Sequence, residues 1–356
     1  MQPPPLCAFQ AAKAGRLTTL VFLATTALTV GCRDGTAPPT GPVSTNPADM
    51  PVAAATSDRW ITRANLWGTE RWGLTTAVVR NSAGETILYA IGGRTALGTS
   101  GSLSKVQAYS VRTNKWTLRA SLPAPVSHTN GAGVIDGKIY VSGGIARHNV
   151  YRNSLFVYDP ATNKWTAKAD MPITGYRGVT GVINGKLYVL TGCGAPDYCW
   201  PVDVTEAFYR YDPVTDRWTA LPIPSRVTPD WAHAGSVGGF IGGKFYVASG
   251  SRLQVYDPAT NQWSARTGWA QSCHLMTGLA FQSKLYLIGG SRLDPGGNVT
   301  NCETAIYDPA TDTWTTGAAP PSIRQLASAG RVVVNGQPRI HLVGGSLPGN
   351  NLQYVP

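Results

Sequence analysis

One nine-residue stretch constrains this chain more than any other: Val157-Tyr158-Asp159-Pro160-Ala161-Thr162-Asn163-Lys164-Trp165. It returns at Tyr211 to Trp218, Val255 to Trp263 and Ile306 to Trp314, with a degraded copy at Ala108 to Trp116. Each copy reads as the end of a hydrophobic strand, a proline-led polar turn, and a tryptophan that opens the next strand. A hairpin repeated at regular spacing means one structural unit copied around an axis or along a solenoid. The length of 356 residues, which alone suggests two domains, therefore reads as one repeat domain behind a leader. With 40 Gly, 26 Pro and 14% charged residues, the chain favours many strands and turns over long helices.

A second motif precedes each copy: Ile87 to Gly93, Lys138 to Gly144, Lys186 to Gly192, Lys244 to Gly250, Lys284 to Gly290 and Arg339 to Gly345. Each is a buried strand ending in small residues, which permit a sharp exit or a close backbone approach. Asp136-Gly137, Asn184-Gly185, Gly242-Gly243 and Asn335-Gly336 stand just before four of them and signal tight primed turns. One repeat is thus a small-residue inner strand such as Thr129 to Val134, a tight turn, the tyrosine strand, a variable loop, the Tyr-Asp-Pro strand, and a Trp-led outer strand.

The double glycine, the tyrosine and the tryptophan at these separations resemble the kelch-repeat family. Six copies run in phase with six tryptophans, Trp60, Trp116, Trp165, Trp218, Trp263 and Trp314, and the resemblance covers about Asp58 to Pro356. It implies an all-β, six-bladed β-propeller of four-stranded antiparallel blades over residues 59–356. The chain ends say how it closes. Trp60 heads an outer strand with no inner strands of its own, whereas Arg339 to Pro356 supplies strands with no Trp after them. Closure by the N-terminal outer strand leaves no open sheet edge.

Lys13 and Arg16 precede Leu17 to Val30, an uncharged run shaped like the core of a secretory signal. Leu28-Thr29-Val30-Gly31-Cys32 resembles the lipobox of bacterial lipoproteins, with Leu28 one place further out than usual. The expectation is a signal peptide over 1–31, lipidation at Cys32, and a Pro/Thr/Ala-rich tether over 32–58. The protein is then exported and lipid-anchored to the bacterial cell envelope, or secreted if the lipobox is not used. In an oxidising compartment Cys193, Cys199, Cys273 and Cys302 remain, and local pairing gives Cys193 with Cys199 and Cys273 with Cys302.

Antiparallel order gathers the long segments on one face: Arg94 to Ser104, Ile145 to Asn153, Cys193 to Asp203, Ser291 to Cys302 and the crossover Ile223 to Ala232. Counting back from each inner turn rings the channel mouth with Arg71, Trp72, His128, Tyr176, Arg177, Trp231, His233, His274, Arg324 and Gln325. Such a set forks carboxylates and stacks on sugar faces or peptides. In the kelch family, arginines at this position either capture acidic peptides or tie neighbouring loops.

Other chemistries find little support. The formal charge of +11 comes from scattered Lys and Arg that form no stripe for nucleic acid. His128, His148, His233 and His274 are irregularly spaced, so no metal is expected and no cofactor is implied. A copper oxidase of the galactose oxidase type needs a local Tyr-His pair, which is absent. Nucleophile-elbow, Walker and zincin motifs are also absent, and Asp159, Asp212, Asp257 and Asp308 are turn formers on the opposite face. The chain reads as a monomeric binding module for a protein, acidic peptide or glycan. The enzymatic alternative resembles a kelch-type sialate (N-acetylneuraminate) mutarotase or epimerase, with Arg71, Arg177 and Arg324 on a carboxylate and a mouth histidine in acid-base work. A third reading is a purely structural envelope protein.

Overall fold

The computed structural model describes residues 58–66, 71–95, 101–192, 207–224, 236–271, 273–294, 296–345 and 351–356, all within a compact unit spanning Ala55–Pro356. The expected signal peptide, the lipidation site Cys32, the tether before Asp58, Cys193, Cys199, Trp231 and His233 lie outside the described residues.

The described residues form six four-stranded antiparallel sheets, each ordered from an inner to an outer strand. The chain enters on β1 (Arg59–Arg63). Blade 1 is β2 (Thr75–Arg80), β3 (Thr86–Ile91), β4 (Val106–Ser110) and β5 (Lys115–Arg119). Blade 2 is β6 (Ala132–Ile135), β7 (Lys138–Ile145), β8 (Tyr151–Asp159) and β9 (Lys164–Lys168). Blade 3 follows with β10 (Val179–Ile183), β11 (Lys186–Leu190), β12 (Phe208–Asp212) and β13 (Arg217–Leu221). Blade 4 comprises β14 (Val237–Ile241), β15 (Lys244–Ser249), β16 (Arg252–Asp257) and β17 (Gln262–Arg266).

Blade 5 carries an insertion. Its strands β18 (Thr277–Phe281) and β19 (Lys284–Ile288) lead into a small hairpin, β20 (Ser291–Leu293) with β21 (Val299–Asn301), before β22 (Thr304–Asp308) and β23 (Thr313–Gly317). Blade 6 takes β24 (Ser328–Val334), β25 (Gln337–Val343) and β26 (Asn351–Val355), and its outer edge is β1. The structure is the closed six-bladed propeller that the repeat implies.

The hydrophobic core is not one mass. It divides into clusters between neighbouring blades, such as Ile139 and Val141 against Tyr89 and Ala77, or Phe245 and Val247 against Tyr188 and Val179. Leu88 and Ala90 of blade 1 meet Val332 and Val343 of blade 6, so the first and last blades are packed like any other pair. Each blade lends one face to each neighbour. This explains why β3, β11 and β19 read as continuous apolar runs rather than alternating ones.

The repeated Tyr, Asx and Trp residues form one clasp per blade. In blade 2 the Tyr158 hydroxyl donates to Asn163 Oδ1 (2.6 Å), which also accepts the Ala120 amide (2.9 Å). The Trp165 indole donates to the Ala120 carbonyl (2.9 Å). Asn163 stands in the left-handed region (φ 53°), where Asn and Asp are tolerated best. Tyr109, Tyr211, Tyr256 and Tyr307 repeat the hydroxyl bond to Asn114, Asp216, Asn261 and Asp312. The clasp joins each blade to the one before it at the outer rim.

Closure uses the same device with parts from both chain ends. Trp60 pairs across the strands with Tyr354, ring centroids 5.0 Å apart, and its indole donates to the Ala318 carbonyl (2.9 Å). Asp58 supplies the Asx oxygen, accepting the Tyr354 hydroxyl and the Ala318 amide, both at 2.6 Å. Asp58, read from sequence as the last tether residue, thus takes part in the propeller's closure. The Tyr-Asp-Pro aspartates sit on the turn face as expected: Asp159, Asp257 and Asp308 pair with Lys138, Lys244 and Lys284 at 2.9–3.5 Å, and Asp212 pairs with Lys186.

Candidate functional site

On the opposite face, each crossover among the described residues that leads from an outer strand to the next inner strand passes through a left-handed residue. Gly73, His128, Arg177, Leu275 and Leu326 hold these places with φ between 50° and 59°. Their backbones form a belt around the channel. The amide of His128 donates to the Gly73 carbonyl (2.7 Å), Arg177 to His128 (3.0 Å), Leu326 to Leu275 (3.1 Å) and Gly73 to Leu326 (2.9 Å). A non-glycine residue in this region costs roughly 1–2 kcal/mol, which the inter-blade bonds offset. Because two of the five are leucines, the strain belongs to the architecture and does not by itself mark a site.

The double glycines explain how the crossovers fit. In blade 1 the Gly93 amide donates to the Val126 carbonyl of blade 2 (2.9 Å), and a β-carbon on Gly92 would stand 2.4 Å from that same oxygen. The missing side chain makes room for the neighbour's backbone. Between blades 6 and 1 the Gly345 amide meets the Arg71 carbonyl at 3.0 Å, which closes the ring on this face as well.

Inside the belt lies a cavity of about 240 Å³ walled by the starts of all six inner strands. Its lining is mostly neutral: Thr76, Thr129, Thr180 and Ser328 bring hydroxyls, and no carboxylate among the described residues lines it. His128 and Arg177 are the two described lining residues able to carry charge.

Around these two the mouth is cationic and aromatic. The Arg94 guanidinium lies over the Trp72 ring, 4.9 Å from its centroid, and Trp72 meets the His128 imidazole edge-on at 5.2 Å. Arg177 stands 6.0 Å from the Tyr176 centroid, and Tyr176 packs on Tyr151 at 5.2 Å. Blades 1, 2 and 3 therefore bring two guanidiniums, one imidazole and three aromatic rings together. Among the described residues no carboxylate pairs with Arg94 or Arg177, whereas the lysines of the other face are paired. Burial lowers the pKa of Arg94 and is the main cause for Arg177, whose neighbour Arg94 adds to the effect.

His128 is 5% exposed. Burial, then the charges of Arg177 and Arg94, hold its imidazole well below the usual histidine range, so it is neutral near pH 7. Its Nδ1 lies 3.1 Å from Ser127 Oγ, and its Nε2 is enclosed without a partner.

The remaining sequence-predicted residues divide by register. Arg71 and Arg324 stand two places before the left-handed residue and turn into the blade, at 0% and 1% exposure. Arg71 donates to the carbonyls of Gly92 (2.7 Å) and Lys105 (3.0 Å) and to Gln107 Oε1 (2.6 Å). Arg324 donates to the carbonyl of Gly344 (3.4 Å), the matching position in blade 6. Both therefore brace the scaffold, and of the three arginines expected on a carboxylate only Arg177 lines the cavity. In blade 5 the same register holds Cys273, bonded to Cys302 in the expected disulfide with α-carbons 6.3 Å apart. A covalent link stands where blade 1 uses a hydrogen-bonded arginine.

His274 is exposed at blade 5, its backbone paired with Ser291, and Gln325 donates to Ser291 Oγ (2.5 Å). Neither lines the cavity. Arg94 is the charged mouth residue that sequence reasoning missed. The available signal was its place, immediately after Gly92-Gly93, where the other double glycines are followed by Ile145, Ser291 and Ser346. Among the described residues no group of three or more His, Cys, Asp or Glu is placed to hold a metal ion.

Comparison with known proteins gives a consistent picture. Residues 54–252, more than half of the chain, match the family model described as the Attractin/LZTR1 beta-propeller. Mouse Kelch-like protein 23 is 27% identical over 257 residues, 68% of this chain and 41% of its own length. Kelch-like protein terF of Aspergillus terreus is 30% identical over 234 residues, 59% of this chain and 48% of its own. The chain thus spans less than half the length of these curated relatives. The solved structure of YjhT superposes with a TM-score of 0.60 at 17% identity, covering 81% of this chain and 95% of that one, a likeness of fold.

Proposed function

Since this chain belongs to the Attractin/LZTR1 β-propeller family of kelch-repeat proteins, we propose that it is a binding module that takes an acidic ligand, a peptide or glycan, at the mouth built by blades 1 to 3. One observation carries the reading: Arg94 and Arg177 stand close enough for their charges to act on each other and on His128, each beside an aromatic ring, with no carboxylate partner among the described residues. Stacking fixes each guanidinium in place while leaving its outward donors for a ligand. A carboxylate or sulfate meeting these donors forms charge-assisted bonds, and the rings of Trp72, Tyr176 and Tyr151 offer apolar faces to the rest of the molecule.

Held at a membrane through lipid on Cys32 and a flexible stalk, such a mouth would present its loops to the surroundings. The sugar-isomerase alternative finds less support, because Arg71 and Arg324 are engaged inside their blades. Screening the full chain against peptide and glycan arrays at two salt concentrations tests the proposal. Acidic members should bind and weaken as salt rises; a preference for neutral members, or binding indifferent to salt, contradicts it.

A further inference from the structure

We infer that His128 couples anion capture at the mouth to proton uptake, so that the propeller holds an acidic ligand more tightly as the pH falls. The inference rests on the reading of the mouth as an acidic-ligand site and adds its regulation. The imidazole is wedged into the channel wall above Gly73, edge-on to Trp72, with Nδ1 beside Ser127 Oγ and Nε2 enclosed without a partner. Among the described residues the groups that face it are Trp72 and Gly73 of blade 1, Ser127 on its own segment, Arg94 from the loop after β3, and Arg177 from the crossover into β10. The charged members of that set are both cations.

Burial alone would disfavour a proton on His128, and the two guanidiniums oppose it further. An anion seated on Arg94 and Arg177 cancels much of their field. Protonation of His128 then becomes easier although the imidazole touches nothing in the ligand. By reciprocity, whatever factor the anion adds to proton affinity, the proton adds to anion affinity. The sign follows. Affinity is flat above the titration range of the occupied state, rises as the pH falls through it, and levels off below the lower titration range of the empty state.

Inorganic sulfate is a suitable probe because its charge is constant over the range. The Cε1–H resonance of His128 in the full-length protein would be followed against pH by nuclear magnetic resonance, with and without saturating sulfate. We expect sulfate to raise the His128 midpoint by about one unit, and its affinity to be flat near neutral pH and to tighten by up to roughly tenfold only as the pH falls through the depressed His128 titration to below the midpoint of the sulfate-free protein. His128→Gln should flatten that dependence, and Arg94→Gln with Arg177→Gln should remove the binding. Sulfate bound through the two arginines with equal affinity above and below the measured His128 titration, and an unmoved His128 midpoint, overturns the coupling and leaves the mouth reading intact. No sulfate binding at any pH overturns the mouth reading and the coupling together.

Discussion

The imidazole of His128 occupies the space above the α-carbon of Gly73: a β-carbon built there would stand 2.7 Å from Nε2 and 2.8 Å from Cε1. Gly73 is also left-handed at φ 59°, so two separate demands fall on one position. Gly73→Ala should cost about 1–2 kcal/mol from the backbone and roughly 1–3 kcal/mol from overpacking against the ring. In a His128→Ala background the second part should vanish. Urea denaturation of the four proteins as a double-mutant cycle reads the difference; additive costs would mean that the ring does not fill that space.

The closure at Asp58 makes a sharper chemical distinction. Asparagine does the same work in blades 1, 2 and 4 through Asn114, Asn163 and Asn261. Asp58→Asn should therefore be tolerated within about 0.5 kcal/mol, whereas Asp58→Ala strands the Tyr354 hydroxyl and the Ala318 amide at a cost of about 1–3 kcal/mol. Thermal unfolding compares the two. Equal losses would show that the carboxylate charge, not the shared acceptor, closes the ring.

Arg71 separates a bracing role from a binding role. Replacing it with Ala leaves the Gly92 carbonyl unmet inside blade 1 and takes one of two donors from the Lys105 carbonyl, which keeps the Gly92 amide, and should destabilise the protein by roughly 3 kcal/mol. Ligand affinity measured well below the melting transition should stay within about twofold. Arg177→Ala should do the reverse, since its side chain reaches the cavity. If Arg71→Ala abolished binding in a folded protein, the division between the two registers would be wrong.

His341 gives a pH signature away from the mouth. It stands where the other repeats carry Tyr89, Tyr140, Tyr188, Tyr246 and Tyr286, fully buried, with Nδ1 2.9 Å from Asn351 Oδ1. Burial brings its pKa down to about 4, the Asn351 bond opposing and Arg63 adding to the effect. A base depressed in the folded state binds its proton preferentially when unfolded. Its stabilising contribution is present in full above pH 6.5 and is lost as the pH falls toward about 4, on the order of 3 kcal/mol at the lower end. Stability measured across that window should fall with pH, and His341→Gln should remove about one proton's worth of slope; an unchanged slope would place the titrating group elsewhere.

Much of this architecture is legible in the sequence, for a physical reason. The clasp uses side chains that must recur in every blade, so Tyr158, Asn163 and Trp165 leave a periodic trace, and Trp60 betrays the closure by having no strands before it. The mouth has no such period. Crossover residues two places apart point differently, so Arg71 and Arg324 enter their blades while His128 and Arg177 face the cavity. Counting from the inner turn places them at similar depth and cannot separate these registers. Arg94 lies on a non-repeating loop, and its approach to Trp72 depends on the bridge between Trp72 and Arg94 that brings two distant segments together.

The most direct test of the account measures a fluorescent oligoglutamate peptide binding to the full-length protein and to the Arg94→Gln, Arg177→Gln double variant, at low and at moderate salt. The account predicts salt-sensitive binding by the unaltered protein and a loss of at least about tenfold in the variant, with thermal stability changed little. Unaltered affinity in the double variant would contradict the claim that these two arginines, beside Trp72 and Tyr176, form the recognition site.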